Sequence, residues 1–566
     1  MRGLGSLATL LFGSLVSAQN NYSALPVNFL KTSNPVTPLP QGYPWGNRTA
    51  NNTNPYTGAP HTGVIRKYDF TVKRGQASPD GYLRDANWGD TIEVTVHNEI
   101  RGPEEGTALH WHGLLQKETQ WFDGVPGVQQ CPIVPGGTFT YSFLADLYGT
   151  SWWHSHYSAQ YNAGIFGPMI IHDMGPILLN DWYHPDYFSL VEDVMSTDLN
   201  RVLVSSDSNL IQGKGFFDCS TKAAGDNATC NDENYMPPTF KFTAGLKHRL
   251  RLINAGTEGM QKFAIDGHNM TVIANDFVPI IPYTTQVVTL GVGQRTDVIV
   301  EGLPTGTTGS FWMRSTIAGC SLAKNPEAKA LVYYDLDPNV NSTTTASATF
   351  NDSVANVCAN DPLNETTPWY PITPDPNPPT TEQIDVGFGQ NASGNWLWTM
   401  NNSSFRANFN EPILLLSNQG NNSYPDSPQW NVYNFGDNSS IRIYITNPTA
   451  VSHPMHLHGH NMFVLNEGLG LWDGKTVVRP SNPQRRDVQT LQAGGYMVLQ
   501  ITADNPGVWP LHCHIAFHVS SGLYVSVLER PADIAKLNIP SIMAQTCRDW
   551  ALFTNTTVVD QIDSGL

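Results

Sequence analysis

The segment His512-Cys513-His514-Ile515-Ala516-Phe517-His518 packs four potential metal ligands into seven residues. It follows Trp509-Pro510-Leu511 and leads into a Val/Leu/Tyr run, which reads as strand. Along a strand, successive side chains point to opposite faces. Cys513 therefore faces one way, and His512 and His514 face the other. A cysteine with a histidine five residues later is the usual sequence form of a blue-copper site, whose thiolate and imidazoles suit copper. The flanking histidines then serve a second site through the same backbone. At about 3.3 Å per strand residue plus side-chain reach, the two sites lie roughly ten ångströms apart, short enough for a covalent electron path.

The other histidines are also clustered. Random placement of 17 His in 566 residues gives on the order of one His-x-His pair or fewer. The chain has five, at 110/112, 154/156, 456/458, 458/460 and 512/514. They fall in His110-Trp111-His112-Gly113, Trp153-His154-Ser155-His156, His453-Pro454-Met455-His456-Leu457-His458-Gly459-His460 and the segment at 512.

These four segments resemble the copper-binding motifs of multicopper oxidases. The longer stretch His110–Ile133 (HWHGLLQKETQWFDGVPGVQQCPI) is similar to ascomycete-type fungal laccases. The resemblance extends over nearly all of the chain beyond its first residues. It implies an all-β fold of three consecutive cupredoxin-like Greek-key β-sandwich domains that binds four copper ions. It also implies disulfides Cys131–Cys547 and Cys320–Cys358. His453, Cys513 and His518 are expected to hold the type 1 copper. The axial position, ten residues after the cysteine, is Leu523, which has no donor atom, so a raised potential is expected. The resemblance gives His110 and His456 to the type 2 copper. It gives His112, His154 and His514 to one type 3 copper, and His156, His458 and His512 to the other. His61, His97, His172, His184, His248, His268 and His460 are left as structural or surface residues.

Two carboxylates complete the expected site. Asp123, in Trp121-Phe122-Asp123-Gly124, matches the family's acid near the type 2 copper and is expected to relay protons. Glu258 matches a carboxylate that takes the phenolic proton in ascomycete laccases. The edge of His518 is the expected electron entry, with Trp396, Trp398 and Phe517 lining an aromatic pocket. Ala516 stands where basidiomycete laccases carry an acid. The C-terminal Asp563-Ser564-Gly565-Leu566 resembles the processed end that plugs the channel to the trinuclear cluster.

These groups must be positioned by strands. Gly89–Asn98, Lys247–Asn254 and Ser440–Asn447 each alternate apolar and polar residues and end at Asn, a repeat that marks half-buried sandwich strands. Each is followed by a Gly-then-Trp strand, at Gly149…Trp152, Gly309…Trp312 and Gly507…Trp509. The first and third copies run on into histidines, and the second into Met313-Arg314-Ser315. The expected division is a signal peptide at 1–18, an extended arm at 19–60, domains at 61–174, 175–340 and 383–566, and a linker at 341–382. Outside the arm and linker, helical periodicity is scarce.

Arg2, the apolar run Leu7 to Val16 and Val16-Ser17-Ala18 form a secretory pattern. Glycosylation sequons recur, at Asn47, Asn227, Asn269, Asn364 and Asn555 among others. Of seven cysteines, Cys513 is reserved for metal, and six remain for three disulfides in an oxidising compartment. Cys219 and Cys230 flank a short polar loop and are placed to pair locally. The net charge of -17 disfavours nucleic acid and anionic membranes as partners. The expectation is therefore a secreted, extracellular, monomeric laccase that oxidises phenols or aromatic amines and reduces O2. One alternative is an oxidase specialised for phenol coupling in fungal pigment or secondary-metabolite biosynthesis. A non-enzyme alternative is a copper-binding electron-transfer protein, which needs only the type 1 site.

Overall fold

The computed structural model describes residues 53–75, 87–171, 175–222, 230, 232, 235–307, 309–334, 356–425 and 427–566. The expected signal peptide, residues 19–52 of the arm, the sequons at Asn47 and Asn227, His172 and the expected boundary at 340/341 lie outside these residues.

The three alternating segments are strands: Thr91–Asn98, Lys247–Asn254 and Ser440–Asn447. Each stands between one parallel and one antiparallel neighbour. Thr91–Asn98 lies between Ile65–Val72 and Thr138–Leu144. Lys247–Asn254 lies between Pro176–Trp182 and Arg295–Glu301. Ser440–Asn447 lies between Thr380–Gln390 and Gly495–Thr502. The sequence repeat is thus a repeat of topology, and its parallel pairs demand crossovers rather than hairpins. The strand Thr380–Gln390 starts inside the stretch expected to be linker.

The second and third units each comprise a six-stranded and a five-stranded sheet, and the first comprises two three-stranded sheets among the described residues. Inward-facing residues fill each sandwich, such as Leu250, Phe263, Val298 and Val332 in the second and Ile443, Leu499, Leu511 and Val527 in the third. Each such side chain, fully buried, contributes roughly 1.5–3 kcal/mol. Of the three repeated strands, only Thr91–Asn98 alternates cleanly. The last five residues of Lys247–Asn254 are buried on both faces, because the first unit covers the outer one. There Arg251 donates to Thr150 at 2.6 Å and to Asp297 at 2.8 Å.

One apolar cluster joins the outer units, from Val94, Trp111 and Phe139 to Phe405, Tyr524 and Trp550. Trp550 belongs to a 16-residue helix, Ser541–Thr556, which the strand-and-turn reading did not anticipate. Cys547 on this helix is bonded to Cys131 of the first unit, and Cys219–Cys230 and Cys320–Cys358 are the other disulfides. Cys513 is free and buried. Among the described residues, no helix is long and apolar enough to cross a membrane.

Candidate metal centres

The His-x-His segments lie on paired strands. In the first unit His110 sits opposite His154 in an antiparallel ladder. In the third, His456 sits opposite His512, and Met455 opposite Cys513. A spacing of two puts both histidines of a segment on one face, so two ladders present their histidines to a common space between the outer units. The other face of the third-unit ladder carries His453 and Cys513. After Cys513 the chain turns into the helix Ala516–Ser520, which brings His518 back to the sulfur.

Besides His110/Asp123/His458, four groups of donors result, each with its donor atoms within 4.8 Å of one another: His110/His112/His456, His112/His154/His514, His156/His458/His512 and His453/Cys513/His518. In the last, Sγ lies 3.6 Å from His453 Nδ1 and 3.5 Å from His518 Nδ1, and those nitrogens are 3.1 Å apart. All eleven expected donor-bearing residues are brought together. His460 stays outside, 3.4 Å from Glu529 and 3.0 Å from the His458 carbonyl.

The chemistry of these groups fits cations. His458 Nδ1 donates to Asp123 Oδ2 at 2.8 Å, and His512 Nδ1 to the Cys513 carbonyl at 2.8 Å. Each ring therefore turns a lone pair inward, and the two Nε2 atoms face each other at 3.0 Å. Two facing lone pairs repel unless a cation lies between or beside them. Nδ1 of His110, His154 and His456 likewise donates to a carbonyl at 2.8–2.9 Å, leaving the buried Nε2 of each without a partner. Orientation of one ring nitrogen by an acceptor is the usual support of a ligating histidine. Burial pushes His512 down to about 4 and His518 to about 3. Burial also lowers His112, His154, His156, His453, His456, His458 and His514 well below the ordinary range. These imidazoles are neutral and free to ligate. Burial raises the Cys513 thiol, so a thiolate there needs a metal cation beside it. Leu523 is fully buried in the same apolar cluster as Cys513, and its carbonyl accepts the Cys513 N–H at 3.1 Å.

Asp123 does more than close a turn. It is fully buried, its carboxylate accepts from His458, and its carbonyl accepts from His110 at 2.8 Å. Asp487, not singled out in the sequence, plays a matching part. Its Oδ1 accepts from His112 Nε2 at 3.1 Å and its carbonyl from His456 Nδ1 at 2.8 Å. Its only sequence signal is an acid beside Arg485-Arg486, which by itself reads as a surface charge cluster.

On the donor side, His518 is the partly exposed member of its group. The Trp398 ring lies 4.6 Å from the rings of both His453 and His518, and Phe388 packs between Trp396 and Trp398. Phe517 does not line this face. It is 2 % exposed and packs edge-on to Tyr183 at 5.4 Å, because the local helix separates consecutive side chains by about 100°. Glu258 is half-buried and accepts from Tyr183 Oη at 3.3 Å. Its loop is held by Asp181, which accepts the N–H of Thr257, Glu258 and Gly259 at 2.6, 2.8 and 2.7 Å. Burial, with the Asp181 charge adding to it, pushes Glu258 up to about 8. A narrow cleft of about 20 Å³ brings Glu258 together with Ser452, Pro454 and Ile515, close to His453 and Cys513.

The C-terminus is packed rather than frayed. Leu566 is 1 % exposed. Asp563 accepts from Ser158 Oγ at 2.6 Å, and the Ser564 N–H donates to the Ser520 carbonyl at 2.7 Å. The tail thus bridges the segments that follow His156 and His518.

Models of the multicopper oxidase family match residues 81–175, 173–335 and 373–533. Laccase-2 of Botryotinia fuckeliana is 34% identical over 92% of this chain and 92% of its own. Dihydrogeodin oxidase of Aspergillus terreus is 34% identical over 91% of this chain and 92% of its own. The crystal structure of laccase from Botrytis aclada superposes with a TM-score of 0.81 at 32% identity, covering 92% of this chain and 98% of that one. The chain belongs to the multicopper oxidase family. Within it, it is an oxidase of the fungal laccase type with three cupredoxin-fold units.

Proposed function

We propose that this chain is a secreted laccase that removes single electrons from phenols or aromatic amines and passes them to O2. When bound, a type 1 copper accepts the electrons, and a trinuclear copper cluster supplies the four-electron reduction that yields two waters. In this reading His453, Cys513 and His518 hold the type 1 ion, and His110 and His456 the type 2 ion. His112, His154 and His514 hold one type 3 ion, and His156, His458 and His512 the other. The observation that carries it is the strand Gly507–Cys513. Its last residue places sulfur in one donor group while the neighbouring His512 and His514 stand in two others. A carrier would need only the first of these groups. The chain's own residues do the rest: His518 exposes an edge to the reductant, Trp398 packs against both type 1 imidazoles, and Asp123 holds His110 and His458.

Four copper ions per chain, with oxygen uptake driven by simple phenols, is the expected result of metal analysis and a substrate panel. A single copper per chain, or uptake driven only by ascorbate or Fe(II), would overturn it. The kinship with dihydrogeodin oxidase favours a second reading, in which the preferred phenols are precursors coupled in pigment or secondary-metabolite biosynthesis. Uptake much faster with polyketide phenols than with simple ones would select it.

Glu258 supplies the proton acceptor for a phenol in either reading. A carboxyl raised to about 8 is protonated in acid and becomes a base as pH rises. The kcat/KM for phenols is therefore expected to climb about tenfold per pH unit toward pH 8 and then level off. In Glu258→Gln that limb should vanish, with a loss of about 10²-fold at the plateau, while a non-phenolic one-electron donor shows no such limb. An unchanged phenol profile in the variant would remove Glu258 from this role.

A further inference from the structure

The middle unit carries none of the candidate ligands, yet one of its arginines reaches the histidines. We propose that Arg295, acting through Asp487, is a positioning residue that turns His112 so that Nδ1 faces the trinuclear cluster. The proposal rests on the copper assignment above.

Arg295 begins the strand Arg295–Glu301 and is fully buried. Its Nη1 and Nη2 donate to Asp487 Oδ1 and Oδ2 at 2.5 and 2.7 Å. Its Nε donates to the Thr150 carbonyl at 3.1 Å, two positions before the Trp152 whose carbonyl accepts the His112 N–H. A planar guanidinium matches a carboxylate in this forked geometry, which an ammonium cannot reproduce. Asp487 is held from the other side as well. Its neighbour Arg486 donates from Nε and Nη2 to Asp276 of the middle unit at 3.0 and 3.0 Å.

The carboxylate so fixed accepts from His112 Nε2 at 3.1 Å. His112 thereby differs from His110, His154, His456, His458 and His512, whose Nδ1 atoms point outward to acceptors. Here Nε2 points outward and Nδ1 inward, 3.2 Å from His514 Nε2. An imidazole lacking this acceptor is free to carry its proton on Nδ1, where the lone pair is needed. The same residue also orients His456 through its carbonyl, and the His112 and His456 rings stack at 4.0 Å. The backbone is fitted closely around the pair. A Cβ on Gly113, which has φ +79, would lie 2.6 Å from both Arg295 Nη2 and Asp487 Oδ2. One on Gly293, with φ +84, would lie 2.8 Å from His514 Cδ2.

A buried fork that only holds the fold together would behave differently from a positioning clamp. Arg314 offers the control, since it forks onto Asp266 at 3.0 and 3.1 Å within the middle unit. The experiment takes copper-loaded wild type, Arg295→Lys, Arg314→Lys and Asp487→Ala, which leaves His112 Nε2 without its side-chain acceptor. Each is dialysed against graded chelator, and copper per chain and blue absorbance per chain are measured. The two clamp variants are expected to release the cluster's copper at about 10- to 100-fold lower chelator with the blue absorbance intact. Arg314→Lys is expected to match wild type. Wild-type retention in both clamp variants would overturn the proposal, and so would loss of blue absorbance in step with the rest. Wild type holding one copper would instead sink the copper assignment itself.

Discussion

Cys513→Ser protein is expected to be colourless, to hold one copper fewer per chain, and to have lost phenol oxidation by at least about 10³-fold, equivalent to about 4 kcal/mol of barrier lowering. The reason is local. Sγ is the only sulfur in its donor group, 3.5–3.6 Å from two imidazole nitrogens, and a hydroxyl is neither a soft donor nor readily ionised. The strand Gly507–Cys513 is otherwise undisturbed, because serine is slightly smaller and makes the same backbone bonds. His512 and His514 therefore keep their places, and the remaining copper should stay bound. Absorbance, metal analysis and an oxygen electrode read the three consequences separately. Phenol-driven oxygen uptake at the wild-type rate would mean that electrons do not enter through this residue.

How much of this was legible in the sequence depends on where the signal resides. Ligands separated by two residues are readable because strand geometry alone puts them on one face, and five such pairs are hard to obtain by chance. The three alternating strands were readable for the same reason, and each proved to be the same topological element. Phe517 was misplaced because nearness in sequence to His518 was taken for a shared face, whereas the helix Ala516–Ser520 turns the two side chains apart. The helix Ser541–Thr556 escaped because its buried stripe is only Met543, Thr546 and Trp550. The disulfide Cys131–Cys547 and the first unit hold it in place. Asp487 and Arg295 escaped for a deeper reason. They lie 192 residues apart, and the histidine that Asp487 orients is 375 residues from Asp487, so no local pattern links them. Asp181 is similar: three consecutive amides converge on it from a loop 76 or more residues distant.

In Asp123→Asn, electron entry should survive and oxygen reduction should fail. The amide oxygen of asparagine can still accept from His458 Nδ1, now 2.8 Å from the carboxylate, and the backbone carbonyl still accepts from His110. The donor groups therefore persist, and the copper content is expected to match wild type. What the variant loses is the carboxylate that we propose relays protons, set between two histidines of different donor groups. Its buried Oδ1 accepts no hydrogen bond and lies 3.3 Å from His110 Nδ1, and general acid–base groups are worth about 10²–10⁴-fold. In anaerobic rapid mixing with a phenol, the blue absorbance should bleach at the wild-type rate. On admitting O2, its return should slow by that factor, and steady-state turnover should fall with it. Because reoxidation then waits on protons from solvent, its rate should rise as pH falls. Copper loss in the variant would show that Asp123 orients its histidines only, and unchanged turnover with an unchanged pH profile would remove it from proton delivery.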